Sequence, residues 1–563
     1  MRRIPFLQTP ALALLLVSVS SWAAEAAVPA SQRFDSPAAA AQFHILAGEL
    51  AAQRNQPLEA AAQLLKALDY TDDVELAQRA SLLAFAGNDP ALTLKASTRW
   101  LQLDPNNLEP REILLRSALS LNRTSEAEEQ AKAIVEGHAG GEDEGLRHVA
   151  LLLSQDRAAE NAAMQLMQTL QKLWPERPAA LYAQGILAMR FARYEQAEAS
   201  ARAALKLDDA SEDARLLLLG AQVKRGLLED ADETADQLIA VGQDETELRL
   251  GYVKLLVDAQ HGDAARKQLE RIRVLQPDNE EAQYALALLA MEGRNLDEAA
   301  ALLEPLAASD TLGNDVAFYL GGIAQLQRRY ADALVWYEKV SSGGKALDAL
   351  LRRASMLARL EQVVEARSIF ENLREQAPML GSRIDSEEAG MLLEIGQATE
   401  ALAVLDRALK LSVSDLELLY ARSLVYERLK RIERAENDLR RMLKANADDA
   451  RALNALGFML TVHTQRFDEA KKLLTRALEL TPDDAAVIDS YGWVQFRTGK
   501  TQDAKVTLEK AYGKLKDSEI AAHLGEVLWT LGEKDRAREI WDAALAEDPE
   551  HRVLTETIKR LDK

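Results

Sequence analysis

Small and apolar residues recur along the chain with the spacing of amphipathic helices, and the predicted helices come in pairs. The clearest pair lies between Pro178 and Ser211. Gly185 stands midway along its first helix, and Ala197 and Ala204 stand seven residues apart on the second. Two helices can cross closely only where the side chains between them are small, so glycine and alanine mark the crossing. The pattern predicts two antiparallel helices joined by a short turn.

The small residue of the second helix returns about every 34 residues, which makes the pair a repeating unit. It recurs at Ala231, Ala265, Ala299, Ala333, Ala366, Ala401, Ala435, Ala470, Ala504 and Ala537. Glycine or alanine keeps the same phase in the first helix at Gly321, Ala354, Ala389, Gly492 and Gly525. Prolines end several units because proline cannot continue a helix. In such an array each unit packs only on its neighbours, so a long chain needs no single large core.

This unit resembles the tetratricopeptide repeat family, on residues such as Gly185, Tyr194, Ala197 and Ala204. Weaker units precede it around Ala163, Ala127 and Ala60, and about fifteen units fit between Ala41 and His551. The resemblance implies an all-α fold, a right-handed superhelical solenoid of about fifteen helix-turn-helix repeats. It also implies a concave groove, lined by the first helix of each unit, that binds partners.

Breaks in the pattern divide the chain into segments. Two glycine-rich stretches, Gly137–Gly145 and Ser341–Gly344, are candidate flexible joints. The last segment is amphipathic and predicts a helix that caps the exposed apolar face of the final repeat. The predicted segments are a signal peptide at 1–26, a flexible leader at 27–40, divergent repeats at 41–141, middle repeats at 142–346, C-terminal repeats at 347–551 and a capping helix at 552–563.

The N-terminus predicts export. Arg2 and Arg3 precede a short apolar stretch from Ala11 to Ser21, and small residues follow it. This is the pattern of a secretory signal peptide, with cleavage near Ala24–Ala26. We therefore expect a periplasmic protein; an uncleaved membrane anchor is the alternative.

Composition and motifs narrow the function. The net charge of −21 gives the protein a negative average electrostatic field, which argues against attraction of nucleic acid or anionic lipid by that field. The chain has no cysteine, so disulfides, thiolate chemistry and a lipid anchor on cysteine are excluded. No metalloprotease, nucleophile-elbow or phosphate-loop motif occurs, and the seven histidines are scattered. We predict no catalytic residue, no cofactor and no metal; an enzyme with an unrecognised site is a remaining alternative.

Partner-binding residues follow from the register of the first helices. The inward positions are apolar or aromatic through the middle of the chain and mixed near its C-terminus. Tryptophan and arginine are favoured anchors of interfaces. The alternative is that the aromatic residues pack between neighbouring helices. The predicted partner-binding residues are Arg451, Asn454, Asp489, Trp493, Phe496, Arg497, Trp529, Tyr420, Arg428 and Phe318.

One late repeat is basic within the acidic chain, and acidic partner segments are predicted to dock there. Pairing with Glu427, Glu433 and Glu436 along the helix is the alternative. The basic residues are Arg422, Arg428, Lys430, Arg431, Arg434, Arg440 and Arg441.

The last three units contain more distinctive sequence segments: ARALNALGFML from Ala450, IDSYGWVQFRTGK from Ile488 and AAHLGEVLWTLGEKDRAREIW from Ala521. It resembles the C-terminal part of Gram-negative envelope tetratricopeptide proteins, which include an outer-membrane lipoprotein adaptor for a carboxyl-terminal processing protease. The resemblance implies a protein-binding scaffold or adaptor that presents cell-wall hydrolases or other clients to such a protease. The missing cysteine departs from that lipoprotein. A structural scaffold in outer-membrane or polysaccharide-export assembly is the alternative.

Overall fold

A computed structural model describes residues 34, 36–241 and 245–561, and it contains 31 α-helices there. The predicted signal peptide lies outside the described residues. Helices α1 to α30 form fifteen consecutive pairs, here called repeats 1 to 15, and α31 follows alone. The all-α repeat architecture predicted from the sequence is confirmed. Odd-numbered helices are the first of each pair, and even-numbered helices are the second.

The helix bounds keep the repeat length nearly constant. The first eight repeats contain α1 Pro37–Gln53, α2 Pro57–Ala67, α3 Val74–Ala86, α4 Pro90–Leu103, α5 Glu109–Ser120, α6 Thr124–Gly137, α7 Glu142–Leu153, α8 Glu160–Leu173, α9 Pro178–Arg190, α10 Tyr194–Leu207, α11 Glu212–Arg225, α12 Leu228–Val241, α13 Glu245–Asp258, α14 Gly262–Leu275, α15 Glu280–Glu292 and α16 Leu296–Leu303. The rest contain α17 Gly313–Leu326, α18 Tyr330–Glu338, α19 Ala346–Arg359, α20 Val363–Gln376, α21 Gly381–Glu394, α22 Ala398–Leu411, α23 Leu416–Arg428, α24 Ile432–Ala445, α25 Ala450–His463, α26 Phe467–Leu480, α27 Ala485–Arg497, α28 Thr501–Lys514, α29 Ser518–Thr530, α30 Lys534–Glu547 and α31 Arg552–Leu561.

Recurrent local signals start and stop these helices. Asp449, Asp484 and Asp517 precede first helices, and their carboxylates accept hydrogen bonds from backbone N–H groups of the first turn. Such caps satisfy donors that would otherwise lack a partner. Between the two helices of most repeats, one residue takes a positive φ, as Asn122 and Gly532 do. Asparagine and glycine tolerate this conformation best, so they favour a tight turn there.

The small residues predicted to mark the helix crossings lie in the core. The second-helix alanines from Ala197 to Ala537 are all fully buried. In the last repeat, a Cβ placed on Gly525 would overlap the indole of Trp541. In repeat 14, a Cβ on Gly492 would lie 2.8 Å from Cγ of Leu508. Helix pairs therefore approach closely only because these positions lack larger side chains.

First helices of successive repeats also pack on one another. Between repeats 10 and 15, helix α21 packs on α19 and α23, and helix α27 packs on α25 and α29. The second helices of the same repeats pack on each other less extensively. An array of helix pairs curves toward the side on which successive helices lie closer together. Between repeats 10 and 15, the first helices therefore line the inner, concave face.

The repeats fall into two compact units, one ending at Ala282 and the other beginning at Gln283. The boundaries predicted at 141/142 and 346/347 stay a prediction. Ser36 caps α1, so the helix starts at Pro37 and includes residues 37–40 of the predicted leader. Of the predicted joint Gly137–Gly145, only 138–141 connects helices, because Gly145 lies in α7 against the backbone of Val135.

The two ends of the array differ. After the last repeat, α31 packs on α29 and buries Leu554, and its role as a cap stays a prediction. At the N-terminus, Phe43, Leu46 and Leu50 form an exposed apolar stripe on α1. The equivalent positions of repeat 5, Ala180, Ala183 and Leu187, are fully buried. They are covered because a preceding repeat stacks on them, whereas no repeat precedes α1 in the described residues.

Candidate protein-binding surface

All ten predicted partner-binding residues lie on first helices of the second unit. Phe318 is in repeat 9, and the other nine are in repeats 12 to 15. This places them on the inner-face helices, but their burial differs. Arg428, Arg451 and Arg497 are exposed, whereas Asp489 and Trp493 are buried.

Arg451 of repeat 13 contacts two residues of repeat 12. Its guanidinium donates to Glu417 at 3.0 Å and lies over the ring of Tyr420, 5.3 Å from the centroid. Burial is the main cause that raises the pKa of Tyr420, so this phenol stays neutral. On the same helix as Arg451, the Oδ1 atom of Asn454 is buried and has no hydrogen-bond partner. A buried acceptor without a donor is uncommon in proteins, and a bound peptide N–H or a water molecule would satisfy it.

Asp489 and Trp493 of repeat 14 both contact His523 of repeat 15. Nδ1 of His523 lies 2.9 and 3.0 Å from the carboxylate oxygens of Asp489. The His523 ring stacks on Trp493 with centroids 4.1 Å apart, and Phe458 lies on it at 5.9 Å. Both residues therefore follow the alternative of packing between neighbouring helices. Their role as partner contacts stays a prediction.

The electrostatics of this buried cluster favour a charged imidazole. Burial alone lowers the pKa of His523, but the negative charges of Asp489, Glu519 and Glu526 raise it, and the net shift is upward. Burial also raises the pKa of the Glu519 carboxyl. Glu526 is neutralised by Arg560 of the capping helix at 2.8 and 2.6 Å. The cluster therefore fastens the last repeat and its cap to repeat 14.

Of the remaining aromatic residues, Trp529 carries a cation on its ring, whereas Phe496 packs on another ring. Phe496 packs on Trp493 at 5.2 Å. Arg497 lies over Phe467 of the preceding repeat at 5.5 Å. Trp529 stacks on Trp541 at 5.5 Å, and Lys534 lies 4.7 Å above its ring. These half-exposed rings with adjacent cations can contact both apolar and acidic groups of a partner.

Phe318 belongs to a second aromatic cluster, in repeats 8 to 10. Its ring lies 5.9 Å from both Tyr319 and Tyr337, and Arg352 lies over it at 5.5 Å. Tyr319 in turn lies 6.1 Å from Tyr284. The rings of Phe318, Tyr319 and Tyr284 are half-buried on first helices, and their role as partner contacts stays a prediction.

Part of the basic repeat is paired with neighbouring carboxylates. Arg422 donates to Asp438 at 2.7 Å and to Asp406 at 2.8 Å. Arg440 donates to Glu436 along its own helix and to Glu469 of the next repeat. The predicted partner Glu427 instead contacts His463 at 3.0 Å. The docking of acidic partner segments on this repeat stays a prediction, and its other basic side chains include the exposed Arg428, Lys430, Arg431 and Arg434.

His523 is the main residue that the register did not single out. It stands 34 residues after Asp489, so the repeat length alone places the two in consecutive first helices. Within the described residues, no group of three His, Asp or Glu side chains is arranged to hold a metal ion. The same part of the chain contains no helix with the length and apolarity needed to cross a membrane.

Part of the chain matches a known repeat family. The family described as "Tetratricopeptide repeat" matches residues 253–310, 284–344, 391–450 and 420–485. Within these ranges, the chain is similar to tetratricopeptide repeats.

Tetratricopeptide proteins are also among its relatives. A TPR repeat-containing protein of Pseudomonas aeruginosa is 38% identical over 209 residues, which are 37% of this chain. The matched part spans 35% of that relative's length. Similar solved structures include a tetratricopeptide repeat protein of Parabacteroides merdae, 19% identical, with TM-score 0.31, covering 50% of this chain and 99% of that one. They also include a structure of Naa15/Naa10 bound to HypK-THB, 15% identical, with TM-score 0.35, covering 93% of this chain and 86% of that one.

Proposed function

We propose that this protein is an exported scaffold that binds partner proteins on the inner face of its second unit. Tetratricopeptide repeats are typical of protein-binding scaffolds. The observation that carries the proposal is the set of half-exposed aromatic rings and exposed arginines on consecutive first helices, with Tyr420, Phe496 and Trp529 as the rings. Aromatic residues and arginine are the side chains that most often anchor interfaces.

The contacts favour an extended segment as the ligand. Arg451 and Arg497 sit on neighbouring first helices, each over an aromatic ring. An extended peptide presents alternating side chains, and acidic and apolar ones suit this row of cations and rings.

The finer proposal is an adaptor in the periplasm that presents cell-wall hydrolases or other clients to a carboxyl-terminal processing protease. It is supported by the signal-like sequence of the N-terminus and by the amino-acid sequence of the last three repeats. The proposal assigns binding, and no chemical step, to the inner face.

The test uses purified components. The chain without its predicted signal peptide is mixed with a carboxyl-terminal processing protease and a wall hydrolase from the same organism. We expect a complex in a titration and faster hydrolase cleavage than with protease alone. Unchanged cleavage and no complex would reject the adaptor, and co-purification with outer-membrane or export subunits would favour the structural scaffold.

The binding surface is tested separately. A double variant, Arg451→Ala with Arg497→Ala, removes two exposed inner-face cations. Truncating an interface anchor typically costs more than about 1 kcal/mol, so affinity should fall about tenfold or more. The matched control is Arg476→Ala with Arg536→Ala, which removes exposed arginines from second helices. Equal effects of the two double variants would place the site elsewhere.

A further inference from the structure

Two arginines early in the second unit form ion pairs with acidic residues at the end of α30 and in the turn before α31. Arg294 forms an ion pair with Glu547, which is 253 residues further along the chain. Arg328 pairs with Asp548, and it lies 3.5 Å from Glu550. The arginines belong to repeats 8 and 9, and the acids end α30 and lead into α31. These contacts join the beginning and the end of the unit.

The arginines occupy equivalent positions. Each is the positive-φ residue of the turn between the two helices of its repeat, with φ of 58°. Other such turns carry Ala192, Glu361 or Lys430 there, and several carry glycine. Among the positive-φ residues in the described part of the chain, arginine stands only at the two turns that touch the acidic segment. The two sides are therefore complementary in charge as well as in position.

We propose that these ion pairs form a salt-sensitive clasp, which holds the end of repeat 15 against repeats 8 and 9. The clasp fixes the curvature of the inner face between them. All the participating side chains are substantially exposed, from 36% for Asp548 to 88% for Glu550. Exposed ion pairs are weak and are screened by salt, so the clasp opens and closes readily.

The inner face lies within the span that the clasp controls. Phe318, Tyr420 and Trp529 are on first helices between the two ends of the unit. A change in curvature alters the separation of these rings, because each repeat turns slightly relative to the next. The consequence for partner binding rests on the proposed function, whereas the clasp itself is measured without any partner.

The chain contains no cysteine, which makes a distance measurement clean. Glu292→Cys and Ala546→Cys place spin labels at exposed sites on either side of the clasp, and a pulsed dipolar experiment gives the distance between the labels. At low salt we expect one short, narrow distribution. At about 1 M salt, where the screening length is ~3 Å, the distribution should lengthen and broaden.

Charge variants identify the cause. Arg294→Glu with Arg328→Glu should produce the long distribution at low salt. The exchange of Arg328→Asp with Asp548→Arg should restore most of the short one. Arg476→Glu is the control, because Arg476 pairs with Asp448 and Glu479 but with no distant repeat. Circular dichroism verifies that each variant keeps its helix content.

Two results would overturn the clasp. A short distribution that persists in high salt and in the double variant Arg294→Glu with Arg328→Glu would show that other contacts hold the ends together. A long distribution at low salt in the unsubstituted chain would show that the ends do not meet in solution. Neither result depends on a partner, so a failure of the clasp is distinct from a failure of the proposed function.

Discussion

His523 and Asp489 form a buried hydrogen-bonded pair, 2.9 Å apart, between the last two repeats. The histidine is 4% exposed and the aspartate 5%. A charged pair inside an interface is costly to break from one side, because the remaining partner stays buried without compensation. The docking of repeat 15 on repeat 14 is therefore sensitive to the protonation of one imidazole.

We predict that docking of repeat 15 weakens as pH rises. The folded-state pKa of His523 is raised, so its stabilising contribution is fully present below the unfolded pKa of about 6.5 and is lost as pH rises through the folded pKa. The groups facing the ring are Asp489, Glu519 and Glu526. The pKa of Glu519 is raised too, so loss of its proton acts in the same direction. Hydrogen exchange of α29 across this pH range measures the effect.

The variant His523→Gln should lower protection of α29 at low pH and remove most of its pH dependence above about 6.5. His463→Gln is the control, since this more exposed ring contacts only Glu427 among the hydrogen bonds described. An unchanged pH profile in His523→Gln would contradict the assignment.

Gly525→Ala should destabilise the last repeat. The added methyl would overlap the Trp541 indole, and overpacking in a core costs about 1–3 kcal/mol or more. Gly390→Ala is a matched control, because Gly390 is exposed within α21 and has no atom within 4 Å of a new Cβ. That change should stabilise by about 0.5–1 kcal/mol through helix propensity. Urea unfolding of both variants compares the two free energies.

Arg374→Met should cost several kcal/mol. Arg374 donates to Asp385 at 2.7 Å and also pairs with Glu388, which is only 1% exposed. Removing one partner of a buried pair costs about 3–5 kcal/mol, because the carboxylates are left in the interior. Arg367 also pairs with Glu388 and reduces this cost. Arg476→Met, at an exposed pair, should change the unfolding free energy by less than about 1 kcal/mol.

Leu46→Gln should leave stability nearly unchanged, although leucine at this point in a repeat suggests a core residue. Leu46 is 70% exposed, because in the described part of the chain no repeat precedes α1. Surface changes of this kind stay within about 0.5 kcal/mol. Leu187→Ala, on the same stripe in repeat 5, should cost about 2–5 kcal/mol because that residue is fully buried. Equal losses in thermal unfolding would show that the N-terminal face is covered in solution.

The repeat unit could be predicted from the amino-acid sequence. Alanines at a spacing near 34 residues and glycines at the crossings predicted paired helices, and these are observed. Such features are local or repeat at a fixed period, so backbone geometry and the small residues specify them without knowledge of distant contacts. The same periodicity placed all ten partner-binding candidates on first helices.

Tertiary structure decided which of those side chains remain available. Trp493 and Asp489 share a helix with the exposed Arg497, yet they are buried because His523 of the next repeat covers them. Arg422 pairs with Asp438 of its own repeat and with Asp406 across a repeat boundary. Arg328 meets Asp548 over 220 residues, a contact set by the summed curvature of seven repeats. A register fixes where a residue stands on its own helix, whereas its neighbours depend on how successive helices pack.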